Sequence, residues 1–394
     1  MRVLLVHNDY SVLGGEEFLV ASVADILESH GHDVLQYRRR SPELQPGVRG
    51  SAKAFFVGIH NPWSCRQITE LLDSFRPNAI HVQNLYPLIS PSILPVMHRS
   101  RIPIVMNVQN YRLGCPNGLH FSHGEICTRC LGGREQWCVL RNCEGSLLKC
   151  TGYALRNAVA RWTGAYTRNV GVFTPPTSFH ARWLSELGIE PERIHVIPNM
   201  VDDVAGKVGE SAGDYVGFAG RVSPEKGVDV LMQAARRMPD VPFRIAGSYD
   251  RLPTLPSTAP PNVRFLGHLG PEDLSSFYAG ARMIVVPSVW FEGFPTVIPQ
   301  AMLRGRPVIA SDVGGLRDVI DDGATGYLFP TGDAEQLAAR IGALWSDPRL
   351  ASIMGRTARE KALREYSRDR YYNRLMAAFE AAGARRRGAS AHDS

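Results

Sequence analysis

Three charged side chains in the second half of the chain could bind a diphosphate and the group attached to it. Arg221 directly follows the apolar run "YVGFAG", and Lys226 comes five positions later. Glu292 is the single acid of the apolar stretch "VPSVWFEGFPTVIPQAM". An arginine fork and a lysine point charge suit a diphosphate, and a buried carboxylate is destabilising unless it meets a cation or hydroxyl donors. The residues therefore predict a site for a diphosphate joined to a hydroxyl-rich group such as a sugar. Two solvated loop cations and a structural Glu–Arg pair are the alternatives.

Glycine-rich turns would bring backbone N–H groups to such a site. "VLGGEEF" places Gly14 and Gly15 just before a helix, where N–H groups can bind a phosphate or a sugar hydroxyl. A plain strand-to-helix turn is the alternative. Pro295 and Thr296 are typical of a helix start, and Gln300 lies about one turn inside that helix.

Short apolar runs must position these turns. "RVLLVHN" predicts a strand, and a helix is predicted from Glu16 to His30, closed by Gly31. The later runs are continuous and not alternating, which favours parallel strands covered on both faces. They are "HDVLQYR", "AIHVQ", "IPIVMNVQ", "VGVFTP" and "RIHVIPN", and then "DYVGFAGR", "PFRIAGS", "VRFLGHL", "RMIVVPS", "RPVIASD" and "GYLFP". Two such series predict two doubly wound α/β domains facing one another.

The length of 394 residues also favours two domains of about 150–200 residues each. We predict an N-terminal domain over 1–199 with an insertion at 115–150, a linker at 200–213, a second domain at 214–364, a helix returning to the first domain at 365–383, and a disordered tail at 384–394. The composition is 44% hydrophobic and 21% charged, as in soluble globular proteins.

The first residues, "MRVLLVHNDY", predict a strand and not a signal peptide, so we expect a cytoplasmic protein. The net charge of +6 suits an anionic ligand and leaves a membrane-peripheral position open. The basic run "YRRRS" fits a solvated strand end better than a nucleic-acid site.

Taken together, the motifs resemble glycosyltransferase family 4, whose members are retaining enzymes of the GT-B fold that use nucleotide-activated sugars. The resemblance runs from "GGEE" through "VIPNMVD" and "GRVSPEKG" to "PSVWFEGFPTVIPQAM" and the "TGYLF" stretch. It implies that Arg221 and Lys226 hold the donor diphosphate, that Glu292 contacts the donor sugar, and that position 300 holds the ribose hydroxyls. The implied donor-binding residues are Gly14, Gly15, Gly220, Gly293, Phe294, Pro295, Thr296 and Gln300, and those on the sugar and acceptor side are Gln109, Asn110 and Asn199.

Two positions depart from the family pattern. Gln300 stands where the family usually has a second glutamate, and Gln109 stands where relatives often carry a histidine. An amide accepts one hydroxyl without charge assistance, so we expect altered nucleotide recognition but intact chemistry. Gln109 can bind a sugar hydroxyl but cannot titrate, so acid–base work at that position is in doubt.

The implied reaction is a hexosyl or N-acetylhexosaminyl transfer by front-face departure, in which the two cations stabilise the leaving diphosphate. No Asp-x-Asp pair occurs in the chain, so we expect catalysis without a metal or another cofactor. The expected donor is a uridine diphosphate sugar, with guanosine diphosphate sugars as the second choice. The acceptor is a small molecule, such as an aminocyclitol in antibiotic biosynthesis, or a lipid-linked one, as in cell-surface polysaccharide or glycolipid synthesis.

Six of the seven cysteines fall between 115 and 150. Four thiolates with one C-x-x-C pair suit tetrahedral zinc, while reduced thiols and disulfides are the alternatives. The stretch resembles a cysteine-rich insertion of one subgroup of the same family, whose pattern matches Cys115, Cys127, Cys130 and Cys143. His120 and His123 are substitute ligands. We expect a structural zinc that shapes the acceptor side.

Other classes of protein fit less well. A non-catalytic nucleotide-sugar-binding protein would not need Arg221, Lys226 and Glu292 at one site. A phosphorylase of this fold would carry a pyridoxal-bearing lysine motif, and a dinucleotide oxidoreductase would carry Gly-x-Gly-x-x-Gly after the first strand; neither motif is found.

Overall fold

The computed structural model describes residues 1–9, 15–40, 57–201 and 212–392, with side chains up to residue 387. The chain divides into two compact units. The first comprises Met1–Ser122, Cys127–Ile197 and Tyr371–Ser394, and the second comprises His123–Ile126 and Pro198–Arg370. Each unit contains its own parallel sheet, as the two series of apolar runs predicted.

The strands that the first part of the chain forms are short and rich in Val, Ile and Leu. They are β1 (Arg2–Asp9), β2 (Asp33–Arg40), β3 (Ala79–Val82), β4 (Ile104–Asn107), β5 (Phe121–Ser122), β6 (Glu125–Ile126) and β7 (Val172–Thr174). Five of them make a parallel sheet in the order β2–β1–β3–β4–β7. Every residue of β3 and β4 is buried, which explains why these runs do not alternate with polar residues.

The helices of this part connect the strands. They are α1 (Gly15–Ser29), α2 (Pro62–Phe75), α3 (Ile93–Arg99), α4 (Gln136–Leu140), α5 (Leu147–Trp162) and α6 (Ser178–Glu186). Gly31 follows α1 with a φ of +76°, a conformation that glycine adopts without strain. The predicted end of this helix is therefore confirmed.

The second unit has a six-stranded parallel sheet. Its strands are β8 (Tyr215–Ala219), β9 (Phe243–Ala246), β10 (Val263–Gly267), β11 (Ala281–Val286), β12 (Val308–Ser311) and β13 (Gly326–Phe329), in the order β10–β9–β8–β11–β12–β13. Its helices are α7 (Val228–Arg237), α8 (Leu255–Thr258), α9 (Pro271–Gly280), α10 (Val297–Leu303), α11 (Leu316–Val319), α12 (Ala334–Ser346) and α13 (Pro348–Glu365). All six apolar runs of this half form strands.

The strand order of each sheet fixes where a ligand can bind. In the first sheet β1 lies between β2 and β3, and in the second β8 lies between β9 and β11. The connections leave such a central strand toward opposite sides, which opens a crevice at the carboxyl ends of the strands. The crevice of the first sheet is therefore at the ends of β1 and β3, and that of the second is at the ends of β8 and β11.

One predicted strand is wrong. The run "RIHVIPN" forms only an isolated bridge between Phe173 and Ile194. His195 N and Ile197 N still donate to the carbonyl oxygens of Phe173 and Pro175, each at 2.9 Å. A proline has no N–H, so Pro175 and the residue after it, also a proline, cannot continue the ladder.

The last helix, α14 (Arg368–His392), belongs to the first unit from Tyr371 onward. Tyr372 stacks on His30 with ring centroids 3.8 Å apart. The predicted disordered tail from residue 384 is wrong in this range, because the helix continues to His392. Alanine and arginine are strong helix formers, and Arg386 donates to the carbonyl oxygen of His98.

Most of the predicted linker at 200–213 lies outside the described residues. No helix in the described part of the chain is long and apolar enough to cross a membrane.

Candidate functional site

The carboxylate of Glu292 is buried and held by two donors in the loop after β11. Lys226 Nζ lies 2.6 Å from its Oε1, and Ser288 Oγ donates to the same oxygen at 2.6 Å. The Glu292 side chain is 5% exposed and the Lys226 side chain 21%. Glu292 therefore meets a lysine and a hydroxyl.

The charge state of Glu292 follows from these contacts. Burial alone would raise its pKa, but the charge of Lys226 and the hydrogen bonds from Lys226 and Ser288 outweigh burial and leave the pKa below its usual value. The carboxylate is thus ionised at neutral pH. The Glu292 side chain is more than nine-tenths buried. Removing one partner of such an ion pair strongly destabilises the fold, because the other charge is left unpaired.

Two glycines allow the loops to approach one another. Gly227 has a φ of +70°, and a Cβ there would overlap the carbonyl oxygen of Pro287. Gly314 has a φ of +58°, and its Cβ would lie 2.9 Å from the carbonyl oxygen of Glu292. The main chain adds a bond from Val289 N to the carbonyl oxygen of Glu225 at 3.0 Å. Loops after β8, β11 and β12 therefore meet around Glu292.

Arg221 lies in the same loop as Lys226 but contacts a different acid. Its Nη2 is 3.3 Å from Glu225 Oε1, and Arg251 Nη1 is 3.7 Å from the same oxygen. The Arg221 side chain is 48% exposed, so its guanidinium remains accessible to a ligand. The sequence did not predict this role of Glu225 or that of Ser288, because a lone carboxylate or hydroxyl in a loop carries no spacing signal.

The remaining predicted donor residues of the second unit lie on the loops after β8 and β11 or in α10. Thr296 directly precedes α10, so this helix begins at Val297, just after the predicted start at Pro295 and Thr296. Phe294 is buried and packs edge-on against Tyr366, with ring centroids 5.2 Å apart. Gln300 Oε1 accepts a hydrogen bond from Tyr278 Oη at 3.1 Å. Gly220, with a φ of +140°, and Gly293 and Pro295 complete this set.

A second polar site lies at the carboxyl end of the first sheet. It is an open cavity at the ends of β3 and β4. Carboxamide side chains dominate its polar lining, which consists of Glu16, Gln83, Asn84, Asn107, Gln109, Asn110 and Arg112. Amides both donate and accept hydrogen bonds, so this lining suits a molecule with many hydroxyl groups.

The amides of the cavity are linked to one another. Gln109 Nε2 donates to Asn107 Oδ1 at 2.8 Å, and Asn107 Nδ2 donates to Gln83 Oε1 at 2.8 Å. Asn110 Nδ2 donates to Glu16 Oε1 at 3.1 Å. The structure thus brings the predicted Gln109 and Asn110 into one cavity.

Several cavity residues were not predicted, namely Glu16, Gln83, Asn84, Asn107 and Arg112. The signal that could have found Gln83, Asn84 and Asn107 is their position at or just after the carboxyl end of a buried strand. Asn199 is buried and belongs to the second unit. Gly14 lies outside the described residues, and Gly15 is the first residue of α1.

A buried cation stands behind the cavity wall. The Arg156 guanidinium lies 4.1 Å from the ring centroids of both Tyr86 and Tyr153. Its Nη2 donates to the carbonyl oxygen of Pro116 at 2.9 Å. Tyr86 and Tyr166 line the cavity, so Arg156 packs against a residue of the cavity wall.

The cysteine-rich stretch does not support the predicted zinc site. Among the described residues, no group of three or more His, Cys, Asp or Glu side chains is arranged to hold a metal, and all seven cysteines are free. Cys130, Cys138 and Cys150 instead form a buried apolar cluster against which Cys143 packs. Burial together with the neighbouring thiols raises the pKa of Cys130 to about 12.

The substitute ligand His120 has a structural role. Its Nε2 accepts from Trp183 Nε1 at 3.0 Å, and its Nδ1 lies 3.0 Å from the carbonyl oxygen of Cys127. Both ring nitrogens are therefore engaged. Burial lowers the pKa of His120 to about 4.

Comparisons with known families match both units. The model described as "Glycosyltransferase Family 4" matches residues 13–204, and the model described as "Glycosyl transferases group 1" matches residues 213–347. A curated relative, the D-inositol 3-phosphate glycosyltransferase of Nocardia farcinica, is 34% identical over 207 residues, which cover 45% of this chain and 46% of that protein. The chain spans about half the length of the curated relatives it matches.

Solved structures resemble nearly the whole chain. Sucrose-phosphate synthase from Thermosynechococcus elongatus has a TM-score of 0.69 at 19% identity, covering 96% of this chain and 99% of that one. Anabaena HepE in complex with UDP and glucose has a TM-score of 0.67 at 19% identity, covering 97% of this chain and 100% of that one. The likeness shows the fold, which is the GT-B fold with two parallel-sheet α/β domains that the sequence predicted.

Proposed function

The chain belongs to glycosyltransferase family 4, and on that premise we propose that it transfers a sugar from a uridine diphosphate sugar to a hydroxyl group of a polyhydroxylated acceptor, with retention of configuration and without a catalytic metal. The observation that carries the proposal is the buried Lys226–Glu292 pair at the crevice of the second sheet, where open α/β sheets bind ligands. Structural neighbours solved with UDP and with UDP-glucose support the choice of nucleotide.

In this mechanism, the diphosphate lies against Arg221 and Lys226. Their two positive charges stabilise the negative charge that develops on the departing nucleotide. Glu292 keeps the lysine ammonium in place through the 2.6 Å contact and offers its remaining acceptor capacity to a sugar hydroxyl. The leaving oxygen itself takes the proton of the incoming acceptor, so no side chain has to act as a base.

Gln300 binds the ribose in this proposal. Its Oε1 already accepts from Tyr278, which fixes the orientation of the carboxamide. A carbonyl oxygen has a second lone pair, which is left for a ribose hydroxyl. The loss of charge assistance relative to a glutamate weakens nucleotide binding but leaves the chemistry intact.

The acceptor occupies the amide-lined cavity of the first unit. The hydroxyl groups of the acceptor bind Gln83, Asn107 and Gln109. The charge of the acceptor determines which of two further side chains of the cavity binds it. Glu16 favours an amino group, as in an aminocyclitol, whereas Arg112 favours a phosphate. The curated relative named for D-inositol 3-phosphate supports the phosphorylated polyol as the alternative acceptor.

Transfer to a lipid-linked acceptor in glycolipid or polysaccharide synthesis is the second candidate function, and binding of a nucleotide sugar without catalysis is the third.

Free thiols throughout the chain favour a reducing, cytoplasmic location.

Release of UDP from UDP-glucose or UDP-N-acetylglucosamine, with an aminocyclitol or inositol 3-phosphate as acceptor, tests the proposal. We expect Lys226→Ala to lose about 10²–10³-fold in turnover, by analogy with the loss of one oxyanion-hole donor. Lys361→Ala is the matched control, since Lys361 Nζ forms a comparable 2.7 Å pair with Asp321 in the same unit. Equal turnover of the two variants would show that Lys226 has only a structural role.

A further inference from the structure

Helix α5 exposes an apolar stripe. Leu148, Leu155 and Trp162 recur every seven residues, so they lie on one face of the helix, with Val159 among them. The side chains of Leu148, Leu155 and Trp162 are 59%, 37% and 66% exposed, respectively. The opposite face packs into the first unit through Cys150 and other small residues. One helix thus carries two apolar faces, of which one is covered. We call Leu148, Leu155, Val159 and Trp162 the α5 stripe.

Neighbouring leucines extend the stripe at its N-terminal end. Leu147 is 61% exposed, and Leu140, the last residue of α4, is 71% exposed. Of the twelve large hydrophobic side chains that are exposed in the described residues, five lie between positions 140 and 162. Single exposed leucines are ordinary, but a cluster of this size marks a surface that contacts an apolar partner.

The charges around the stripe identify the partner. Apart from the buried Arg156, residues 127–168 contain six Arg and Lys but only two Glu, which gives a net charge of +4 in a chain whose total is +6. Of the two acids, Glu135 is bound to Arg161 at 2.8 Å. Lys149, Arg129 and Arg134 are exposed. Two copies of so basic a face would repel each other, whereas an anionic surface would attract it.

We propose that the α5 stripe docks the first unit on an anionic phospholipid bilayer. Leu148, Leu155 and Trp162 enter the boundary between head groups and acyl chains, where tryptophan is favoured, and α5 lies in the plane of the interface. Lys149 and the nearby arginines contact the anionic head groups. This inference is independent of the donor chemistry and does not require a lipid acceptor.

Sedimentation of the full chain with vesicles tests the inference. Wild-type protein should sediment with vesicles of equimolar phosphatidylcholine and phosphatidylglycerol, should bind pure phosphatidylcholine much more weakly, and should be released by high salt. The double variant Leu148→Ser, Trp162→Ser should lose about tenfold or more in apparent affinity for the anionic vesicles. The matched control is Ile353→Ser, Leu363→Ser, which removes two exposed hydrophobic side chains of α13 and should bind like wild type.

Three results would overturn the inference. The wild type could stay in the supernatant with anionic vesicles, or the stripe variant could sediment as well as the control. Alternatively, light scattering could show a wild-type dimer that the stripe variant converts to a monomer, and a second copy of the chain would then be what covers the stripe. Circular dichroism verifies that both variants are folded.

Discussion

Lys226 Nζ lies 2.6 Å from Glu292 Oε1 although the two residues are 66 positions apart in the chain. The pair joins the loop after β8 to the loop after β11, and these two strands are neighbours at the crevice of the second sheet. The carboxylate of Glu292 is buried, whereas the ammonium of Lys226 is partly exposed. The buried carboxylate therefore holds the lysine in place, and the ammonium presents its positive charge toward the solvent. Such an arrangement holds a cation ready for an anionic ligand without reorganisation.

Replacing Glu292 by Gln should abolish sugar transfer while leaving the affinity for free UDP nearly unchanged. The carboxylate is assigned to the sugar, and the amide oxygen of glutamine can still accept from Ser288 and Lys226. We expect turnover to fall by about 10²–10³-fold. Calorimetry with UDP and turnover of the sugar donor give the two readouts. If UDP affinity falls in parallel with turnover, position 292 serves the nucleotide and the assignment is wrong.

Stability should fall on acidification because of buried histidines such as His81. His81 is fully buried, its two ring nitrogens have no hydrogen-bond partner among the described residues, and burial lowers its pKa to about 4. The unfolded chain takes up a proton below about pH 6.5, whereas the folded one does not until about pH 4. His81 therefore lowers the stability of the fold by about 1.4 kcal/mol for each pH unit between about pH 6.5 and about pH 4, and it adds no pH dependence above that range.

The variant His81→Leu should accordingly lose less thermal stability between pH 7 and pH 5 than the wild type, as measured by the unfolding midpoint. Parallel curves for His81→Leu and wild type would show that His81 does not set the acid sensitivity.

The sequence predicted the fold well because apolar runs report burial directly. The six runs of the second half all became strands, and the GT-B fold is confirmed. The run at 193–199 failed because Pro175 and its neighbour deprive the adjacent strand of donors. The helix beyond residue 383 was missed because a basic, alanine-rich end has the same composition as a frayed tail, and only contacts such as Arg386 with His98 distinguish the two.

The sites were less predictable because their partners are distant in sequence. Spacing alone indicated Arg221, Lys226 and Glu292, but it could not show that Lys226 holds Glu292 while Arg221 contacts Glu225. The amide cavity draws its residues from the ends of separate strands, and no local pattern joins Gln83 to Asn107. The zinc prediction depended on a C-x-x-C spacing that a buried thiol cluster satisfies equally well. The roles of the donor residues stay predictions.

We expect the rate at which each cysteine reacts with a thiol reagent to depend on how deeply it is buried. Cys115, Cys130, Cys138 and Cys150 are buried, whereas Cys65, Cys127 and Cys143 are half-buried. Burial raises the pKa of Cys115 and Cys130, and the thiolate is the reactive form. In the native protein we therefore expect three cysteines to react quickly with a thiol reagent and four slowly, and all seven after unfolding. Fewer than seven reactive cysteines after unfolding in denaturant would reveal disulfides. Release of zinc in proportion to the reacted thiols would support the predicted metal site.

Replacing Gln300 by Glu should tighten UDP binding. Gln300 Oε1 accepts from Tyr278 Oη at 3.1 Å, and a carboxylate would keep this bond with one oxygen while offering the ribose charge-assisted bonds. We expect a gain of about 1–1.5 kcal/mol, or about tenfold in Kd by calorimetry, with the turnover of bound donor little changed. Tyr278→Phe in the Gln300→Glu background is the control for orientation, because it removes the hydroxyl that aligns the carboxylate and should return part of the gain. If UDP affinity does not respond to position 300 while it responds to position 292, the two residues have exchanged roles, and the ribose lies against Glu292.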